Sequence, residues 1–442
     1  MKFSSTRNDK REVSFKETIF TGLAPDGGLY NPTTTPDLSE LFASFREDTP
    51  FPELAAEMTA ALFPEEISPP TAHEICKKAF PFVPHLRRLE NDIDILELFH
   101  GPSCAFKDFG ASYLATVMEE FLKTEDRRAL ILTATSGDTG SAVARAFYGK
   151  DMIDVVILYP SHRVSPLQEK QLTTVGGNVK TLEVEGSFDD CQKMVKTAFV
   201  DTELREKLPL TSANSINLGR LLPQSFYYVY AYNRLKGQYP SLRITVPSGN
   251  FGNLTSGVLA WTWGMKVDGF IAATNINDVV PEYLQTSEYN PRPSIQTYSN
   301  AMDVGDPSNF ERLIDIFGND REKMRSVLSH EVVTDEQTSE VIKETYTHKG
   351  VFLDPHTAVG YLASKRYLDR FIKNRSGESN PHLITLSTAH PGKFLEIVEE
   401  ATGKKVDLPE QLASVLSLEK QSIPVGNTPD ALKEYLLDPY GS

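Results

Sequence analysis

The feature that most constrains the fold is a strand, loop and helix pattern that recurs between residues 128 and 390. Short apolar runs rich in β-branched residues end at turn residues, and amphipathic segments follow most of them. The runs are RALILTAT, IDVVILYPS, NVKTLEVEGS, LRITVPSGNFGN, GFIAATN and PHLITLSTAH. Alternating strands and helices are typical of parallel sheets that helices cover on both faces. The pattern therefore predicts an α/β protein with two parallel sheets and a ligand site at the carboxyl ends of the strands, between the domains.

The start of the chain has a different character. A polar beginning, the turn-rich LAPDGGLYNPTTTP and helical patterns such as ELAAEMTAALF precede the first recurring strand. A length of 442 residues favours two or three domains. We expect an N-terminal domain over residues 1–93, a large domain over 94–127 and 243–442, and a small α/β domain over 128–242.

Composition excludes several classes of function. The net charge of −15 disfavours binding to nucleic acid or anionic lipid, so an anionic ligand needs a local positive site. No apolar run is long enough to span a membrane, and the start MKFSSTRNDKREVSF has no apolar core of a signal peptide. The three cysteines form no CxxC pair, which favours reduced thiols. We expect a cytoplasmic protein.

Two strand-to-helix loops have the composition of anion-binding sites. The first is VPSGNFGN over residues 246–253, where glycines let backbone N–H groups converge ahead of a helix. The second is TSGDTG over 135–140, whose hydroxyls and N–H groups suit a carboxylate. An ordinary turn in the first and a Ser or Thr N-cap in the second are the alternatives. The first loop matches neither the dinucleotide-binding nor the P-loop pattern.

Lys107 is unusual because it lies between Phe106 and Phe109 in a mostly small and apolar segment. A lysine stem can lie along an apolar surface while its ammonium group reaches water. Together with one loop for a phosphate and one for a carboxylate, the lysine indicates instead a covalent link to an aldehyde cofactor. A third cluster, SANSINLGR over 212–220, offers amides, hydroxyls and a guanidinium to a second oxyanion. A polar loop that caps the next helix is the alternative there.

Other catalytic patterns are missing from the sequence. The nine histidines have no HExxH-like spacing, so no metal site is predicted, and no GxSxG elbow occurs. The histidines of DPH at 354–356 and AHP at 389–391 are expected to be structural.

Seven motifs resemble those of the threonine synthase family of the bacterial and fungal type, and they occur in the same order. They are HGPSCAFKDFGA, TATSGDTG, YPSHRVSPLQEKQ, NSINLGR, PSGNFGN, SNAMDVGDPSNFER and LSTAHPGKF. VSFKETIFTGLAPDGGLY resembles the separate first domain of that family, so the resemblance covers essentially the whole chain. It implies the tryptophan-synthase-β-like fold, fold type II of the pyridoxal-phosphate enzymes, with an additional N-terminal domain.

The resemblance also implies roles for individual residues. Lys107 resembles the lysine that holds pyridoxal 5′-phosphate and serves as the catalytic base. The residues expected to bind the cofactor are Lys107, Asp138, Gly249, Asn250, Phe251, Gly252, Asn253 and Thr388, with the glycine-rich loop at its phosphate and Thr388 at its pyridine nitrogen. The residues expected to bind the substrate are Thr135, Ser136, Thr139, Asn214, Ser215 and Arg220. Asp138 differs from the asparagine of other branches, which leaves its contact to the cofactor's 3′-oxygen in question.

The reaction implied by the resemblance is the conversion of O-phospho-L-homoserine and water to L-threonine and phosphate, the last step of threonine biosynthesis. Such an enzyme is a pyridoxal-phosphate-dependent carbon–oxygen lyase, and we expect a monomer or weak dimer. A related phospho-lyase would release phosphate from the same substrate but give 2-oxobutyrate. A catalytically inactive amino-acid-binding module is a third possibility, which the intact Lys107 disfavours.

Overall fold

The computed structural model describes residues 1–123, 125, 127–135, 137–374 and 379–438. The strands in this part of the chain are β1 (Phe3–Ser5), β2 (Tyr30–Pro32), β3 (His85–Glu90), β4 (Ile93–Glu97), β5 (Ala129–Ala134), β6 (Ile153–Pro160), β7 (Val179–Val184), β8 (Leu210–Thr211), β9 (Leu242–Pro247), β10 (Gly269–Thr274), β11 (Leu328–Val332), β12 (His382–Ser387) and β13 (Ile423–Val425).

The α-helices connect these strands and cover the sheets. They are α1 (Phe15–Thr21), α2 (Ser39–Ser44), α3 (Phe51–Leu62), α4 (Pro69–Ala79), α5 (Lys107–Leu122), α6 (Asp138–Phe147), α7 (Pro166–Thr173), α8 (Phe188–Val200), α9 (Thr202–Lys207), α10 (Leu218–Leu221), α11 (Gln224–Leu235), α12 (Gly252–Thr262), α13 (Val279–Thr286), α14 (Phe310–Ile316), α15 (Arg321–Val327), α16 (Asp335–Lys349), α17 (Pro355–Asn374), α18 (Leu395–Thr402), α19 (Glu410–Ala413) and α20 (Pro429–Leu437). Short 3₁₀ turns occur at Asn300–Met302 and Pro391–Phe394.

A six-stranded sheet forms the larger of the two α/β layers, with strand order β11-β10-β9-β12-β4-β3. All neighbours from β11 to β4 are parallel, and only the edge strand β3 is antiparallel to β4. Buried hydrophobic residues fill both faces of its central strands, as expected for a sheet that helices cover on both sides. The loops after β4, β9 and β12 therefore leave the same edge of the sheet side by side.

A five-stranded parallel sheet forms the smaller layer, with strand order β13-β7-β6-β5-β8. Its last strand comes from the C-terminal region, because Ile423–Val425 pairs with β7, and α20 packs on α8 beside it. Residues 243–442 were expected to lie wholly in the large domain, so the chain departs from that boundary here. The segment IPV is only three residues long, and its sequence cannot reveal a partner strand more than two hundred residues away.

The N-terminal region carries a small antiparallel sheet of β1 and β2, followed by helices α2 to α4. Its helices α1, α3 and α4 pack against α5, α10 and α11, and one continuous hydrophobic core joins these elements. The first domain therefore buttresses the helix that begins at Lys107. The two parallel sheets and the additional N-terminal region agree with the fold predicted from sequence.

No helix in the described ranges is both long enough and apolar enough to cross a membrane.

Candidate active site

Lys107 lies at the start of α5, at the end of the loop that follows β4. This loop is tied to the segment after β12: Ala105 forms an antiparallel bridge with Ala389, and the Phe106 N–H donates to the Thr388 carbonyl at 2.8 Å. Cys104 has a left-handed backbone with φ of 56°, which turns the chain sharply just before the helix. Two neighbouring strand ends thus place Lys107 and Thr388 together.

The Lys107 amine is in a charged but largely buried environment. Its side chain is 16% exposed, and Nζ lies 3.6 Å from Oδ2 of Asp138. Burial lowers the pKa of Lys107 below the ordinary value for lysine; Asp138 opposes this effect, whereas the positive charges of Lys393 and Arg220 add to it. The site therefore favours a neutral, nucleophilic amine.

The loop of residues 249–253 leaves β9 and enters α12. A Cβ atom on Gly249 would lie 2.6 Å from the Cα of Met302, so the backbone approaches this loop too closely for any side chain. Phe251 has a left-handed backbone with φ of 58° at the helix N-cap, a conformation that costs energy in a residue other than glycine and is common at ligand sites. The first N–H groups of α12 have no partner within the helix, so they are available to an anion.

Asn253 has a more structural position than the sequence indicated. Its Oδ1 accepts hydrogen bonds from the Tyr227 and Tyr228 hydroxyls at 2.6 and 2.7 Å. Its Nδ2 is buried and has no hydrogen-bond partner in the described part of the chain. The side chain is therefore anchored through its oxygen and keeps one buried donor for an anion.

The loop of residues 135–140 leaves β5 in the smaller sheet and enters α6. The Thr135 Oγ1 accepts from the N–H groups of Gly137 and Gly140, at 3.0 and 2.8 Å, so this hydroxyl shapes the loop. Asp138 is buried, and Thr139 lies half-buried in the first helical turn. Ser136 lies outside the described residues.

The 212–220 cluster lies directly beside the glycine-rich loop. Ser215 Oγ accepts from Asn250 Nδ2 at 2.7 Å and from Asn309 Nδ2 at 3.3 Å, which leaves its O–H free to donate. Asn214 donates through Nδ2 to the Ala134 carbonyl at 3.3 Å, and its Oδ1 is buried without a partner among the described residues. The oxygen of Asn214, as placed, suits a donor on a ligand and not a phosphate oxygen.

Arg220 is buried, and its positive charge acts on Lys107. Its Nη1 donates to the Ala213 carbonyl at 2.6 Å, whereas its buried Nε has no partner within the described ranges. Burial lowers the pKa of Arg220 to about 10, which keeps the guanidinium charged at neutral pH. The protein therefore holds a buried cation with unused hydrogen-bonding capacity beside Lys107.

Sequence reasoning missed two groups that contact this site. The side chain of Lys393 is completely buried, and its Nζ lies 2.8 Å from Oδ1 of Asp138. Gln168 Nε2 donates to the same carboxylate oxygen at 3.0 Å. Lys393 follows a buried strand and lies among small and apolar residues in HPGKF, which is the same signal that drew attention to Lys107.

A second missed feature supports the glycine-rich loop from behind. The buried His356 holds Asp354 through Nδ1 at 2.9 Å, and its Nε2 accepts from the Ala301 N–H at 3.2 Å. The Ala301 carbonyl in turn lies 2.9 Å from where a Cβ of Gly249 would be. The histidine of the DPH motif is thus structural, as expected, and it fixes the segment that closes the loop.

Comparisons with known proteins agree with this architecture along the whole chain. Residues 85–387 match the family described as pyridoxal-phosphate dependent enzyme. Residues 2–80 match the threonine synthase N terminus, and residues 357–436 match the C-terminal threonine synthase region. A threonine synthase of Haemophilus influenzae is 40% identical over 438 residues, which cover 99% of this chain and all of that protein.

The chain belongs to the threonine synthase family.

Solved structures lead to the same family. The crystal structure of threonine synthase from Escherichia coli has a TM-score of 0.90 and 40% sequence identity, and the match covers 99% of this chain and 100% of that chain. The pyridoxal-phosphate-bound threonine synthase of Brucella melitensis also has a TM-score of 0.90, with 34% identity over 99% of this chain and 98% of that chain. The predicted family, the type II fold and the dependence on pyridoxal phosphate are confirmed.

The residues present fit the cofactor of this threonine synthase family member. A buried lysine whose pKa is lowered suits its aldehyde. The buried Nδ2 of Asn253, which has no partner among the described residues, and the first N–H groups of α12 suit its phosphate. Thr388 is buried next to the Lys107 loop, to which its carbonyl is hydrogen-bonded. These residues lie on the loops that follow β4, β9 and β12, which are neighbours in the larger sheet.

Proposed function

We propose that the site described above converts O-phospho-L-homoserine and water to L-threonine and phosphate. One arrangement supports this assignment above all: the buried arginine of the 212–220 cluster acts on the charge of Lys107, and the same cluster is hydrogen-bonded to the glycine-rich loop. Two oxyanion sites joined by the Asn250–Ser215 hydrogen bond suit two phosphates, one on the cofactor and one on the substrate.

The glycine-rich loop and Lys107 hold the cofactor in this proposal. Gly249 to Asn253 supply N–H groups and the Asn253 amide to its phosphate, Thr388 faces the pyridine nitrogen, and Asp138 lies towards the 3′-oxygen. When it is bound, pyridoxal phosphate supplies an electron sink that stabilises negative charge on substrate carbon.

Arg220 and Ser215 hold the substrate phosphate, and the loop that contains Thr135 and Thr139 lies towards the substrate carboxylate. The Cγ–O bond breaks and phosphate leaves with the bonding electrons; Cβ loses one proton and bonds to the oxygen of water, and Cγ gains one proton to become a methyl group. The second proton of the water leaves with the phosphate. The Lys107 amine takes the Cα proton, for which it must be neutral, and returns a proton in the threonine product. A guanidinium already desolvated beside the leaving group stabilises the charge that develops there without reorganisation.

The acidic chain has no need of a macromolecular partner for this reaction. We infer a cytoplasmic enzyme, a monomer or weak dimer, that acts on a small molecule and does not bind nucleic acid. The net charge of −15 supports the last inference, because the overall field repels polyanions.

The test of this function is a comparison of the wild type with Lys107→Ala, with Lys123→Ala as a control at the exposed end of the same helix. We expect the wild type to release threonine and phosphate in equal amounts from O-phosphohomoserine. Lys107→Ala should lose both turnover and the borohydride-reducible bond to the cofactor, whereas Lys123→Ala should keep them. Cofactor attachment and turnover in Lys107→Ala would refute the role of Lys107, and 2-oxobutyrate as the main wild-type product would refute the proposed product.

A further inference from the structure

Asp138 lies between two lysines, with one at each oxygen of its carboxylate. Lys393 Nζ is 2.8 Å from Oδ1, and Lys107 Nζ is 3.6 Å from Oδ2. Lys393 also donates to the Ser103 carbonyl at 2.7 Å, and its side chain is completely inaccessible to solvent. Lys393 therefore makes the close ion pair with Asp138, and Lys107 lies outside normal hydrogen-bonding distance.

Burying the charge of a lysine away from solvent costs free energy unless a specific partner compensates that charge. Asp138 supplies that compensation, and the pair of Asp138 with Lys393 is neutral as a whole. A carboxylate facing Lys107 alone would instead stabilise the ammonium form of Lys107, which cannot attack an aldehyde or accept a proton.

We propose that Lys393 is a positioning residue that occupies and neutralises Asp138, so that the carboxylate does not hold the Lys107 amine in its protonated form. This inference rests on the proposed role of Lys107 and adds a reason for the second buried lysine. It also accounts for an aspartate at position 138, since Lys393 offsets the negative charge that this residue brings to the cofactor's 3′-oxygen.

The other charged groups around Lys107 act in defined directions. Arg220 from α10 disfavours the Lys107 ammonium, as Lys393 does, while Asp138 from α6 favours it. Asp108, the next residue on α5, is buried, and His356 from α17 faces Asp138. Removing Lys393 takes away a repulsive charge and leaves Asp138 with Lys107 as its nearest cation, so both effects favour protonation of Lys107.

The experiment measures how fast the apoprotein forms its covalent bond with pyridoxal phosphate at a series of pH values. In this step the lysine nitrogen bonds to the aldehyde carbon and the aldehyde oxygen leaves as water, so the rate follows the fraction of neutral amine. The proteins compared are the wild type, Lys393→Gln, Asp138→Asn and the double variant, with Lys404→Gln as a control at an exposed lysine beyond α18.

We expect the midpoint of the pH profile to rise by about one unit or more in Lys393→Gln, because an opposite charge at this distance shifts a lysine by that order. It should fall in Asp138→Asn, where the repulsion from Lys393 remains. The double variant should return close to the wild-type midpoint, because the two opposite shifts on Lys107 add and cancel. Lys404→Gln should leave the midpoint unchanged.

Two results would overturn the proposal: an unchanged midpoint in folded Lys393→Gln, or shifts in the same direction in both single variants. If Lys393→Gln does not fold, Asp138→Asn and the double variant decide, because they differ only at residue 393: the midpoint should be lower in Asp138→Asn, and equal midpoints would overturn the proposal. Rapid attachment in Lys107→Ala would instead refute the proposed function, which separates that failure from a failure of the Lys393 proposal.

Discussion

Arg220 illustrates how single residues of this site differ from ordinary buried polar groups. Its guanidinium donates to one backbone carbonyl, and its Nε is buried without a partner in the described part of the chain. A buried donor that stays unpaired costs about 1–3 kcal/mol, and a bound ligand that accepts a hydrogen bond from Nε would remove this cost. In the proposed function, that ligand is the substrate phosphate.

We predict that Arg220→Ala lowers kcat/KM for O-phosphohomoserine by about 10²-fold or more, since the loss of one partner of a buried charge pair costs about 2–5 kcal/mol. The affinity for pyridoxal phosphate should change little, because the cofactor phosphate lies at the 249–253 loop. Steady-state kinetics and cofactor titration measure the two effects separately. Arg220→Lys serves as the control, which keeps the charge but not the planar fork and should recover part of the activity. An equal loss of cofactor affinity in Arg220→Ala would place Arg220 in the fold and not at the substrate.

Some residues of the site could be predicted from the sequence and others could not, and the difference has a physical reason. Lys107 is conspicuous because a lysine between two phenylalanines contradicts the local apolar pattern. Lys393 carries the same signal more weakly, because one isolated lysine after a turn is usually solvated. Only the structure shows that the amine is buried, with the 391–394 turn packed so that Lys393 donates to the Ser103 carbonyl.

At the scale of elements, the ends of neighbouring strands bring the parts of the site together. The loops after β4, β9 and β12 come together because these three strands are neighbours in one parallel sheet. The sequence identified each strand and its turn, but the spatial order β9-β12-β4 depends on pairing between segments far apart along the chain. That order decides that Thr388 and not another hydroxyl lies beside Lys107.

The glycine-rich loop gives a test at this scale. In Gly249→Ala the new Cβ would meet backbone atoms, the Met302 Cα at 2.6 Å and the Ala301 carbonyl oxygen at 2.9 Å, which cannot move aside as a side chain could. Overpacking of this kind costs about 1–3 kcal/mol. A shift of the loop would also move its N–H groups away from the position proposed for the cofactor phosphate. We expect the affinity for pyridoxal phosphate to fall about tenfold or more.

Equilibrium titration of the Gly249→Ala apoprotein with pyridoxal phosphate measures this effect. Gly426→Ala is the matched control, because the nearest atom to its new Cβ is the Ala431 Cβ at 3.7 Å, an ordinary contact. Wild-type cofactor affinity in Gly249→Ala would show that the loop tolerates the methyl group and that its backbone does not bind the phosphate.

At the scale of the whole molecule, the N-terminal domain packs against the helices that carry residues of the site. The sequence predicted a separate first domain, but its pattern could not show what that domain contacts. One such connection is made by the buried Arg312 on α14, whose Nε donates to the Tyr30 carbonyl of β2 at 3.0 Å. The same guanidinium donates to the carbonyls of Ser215 and Ile216, within the 212–220 cluster, at 3.0 and 2.6 Å.

Arg312 could not be recognised from the sequence, because FERLID reads as a surface helix in which an arginine faces solvent. The residue is instead completely buried, because the N-terminal domain covers that face of α14. Burial lowers the pKa of Arg312 to about 9, so the group stays charged at neutral pH while backbone carbonyls accept its hydrogen bonds. It therefore couples the first domain to the position of Ser215.

We predict that Arg312→Gln loosens this connection in two measurable ways. Several carbonyls lose their donors at once, and each buried group left unsatisfied costs about 1–3 kcal/mol, so the midpoint of thermal unfolding should fall. The 212–220 cluster loses one of its anchors, whereas Arg312 makes no hydrogen bond to the 249–253 loop in the described part of the chain, so kcat/KM for O-phosphohomoserine should fall by more than the affinity for pyridoxal phosphate. Arg321→Gln, at an exposed arginine in the neighbouring helix α15, should change neither quantity. If Arg312→Gln destabilised the fold but left the ratio of the two losses at one, the guanidinium would support the molecule in general and would not transmit the packing of the first domain to the substrate.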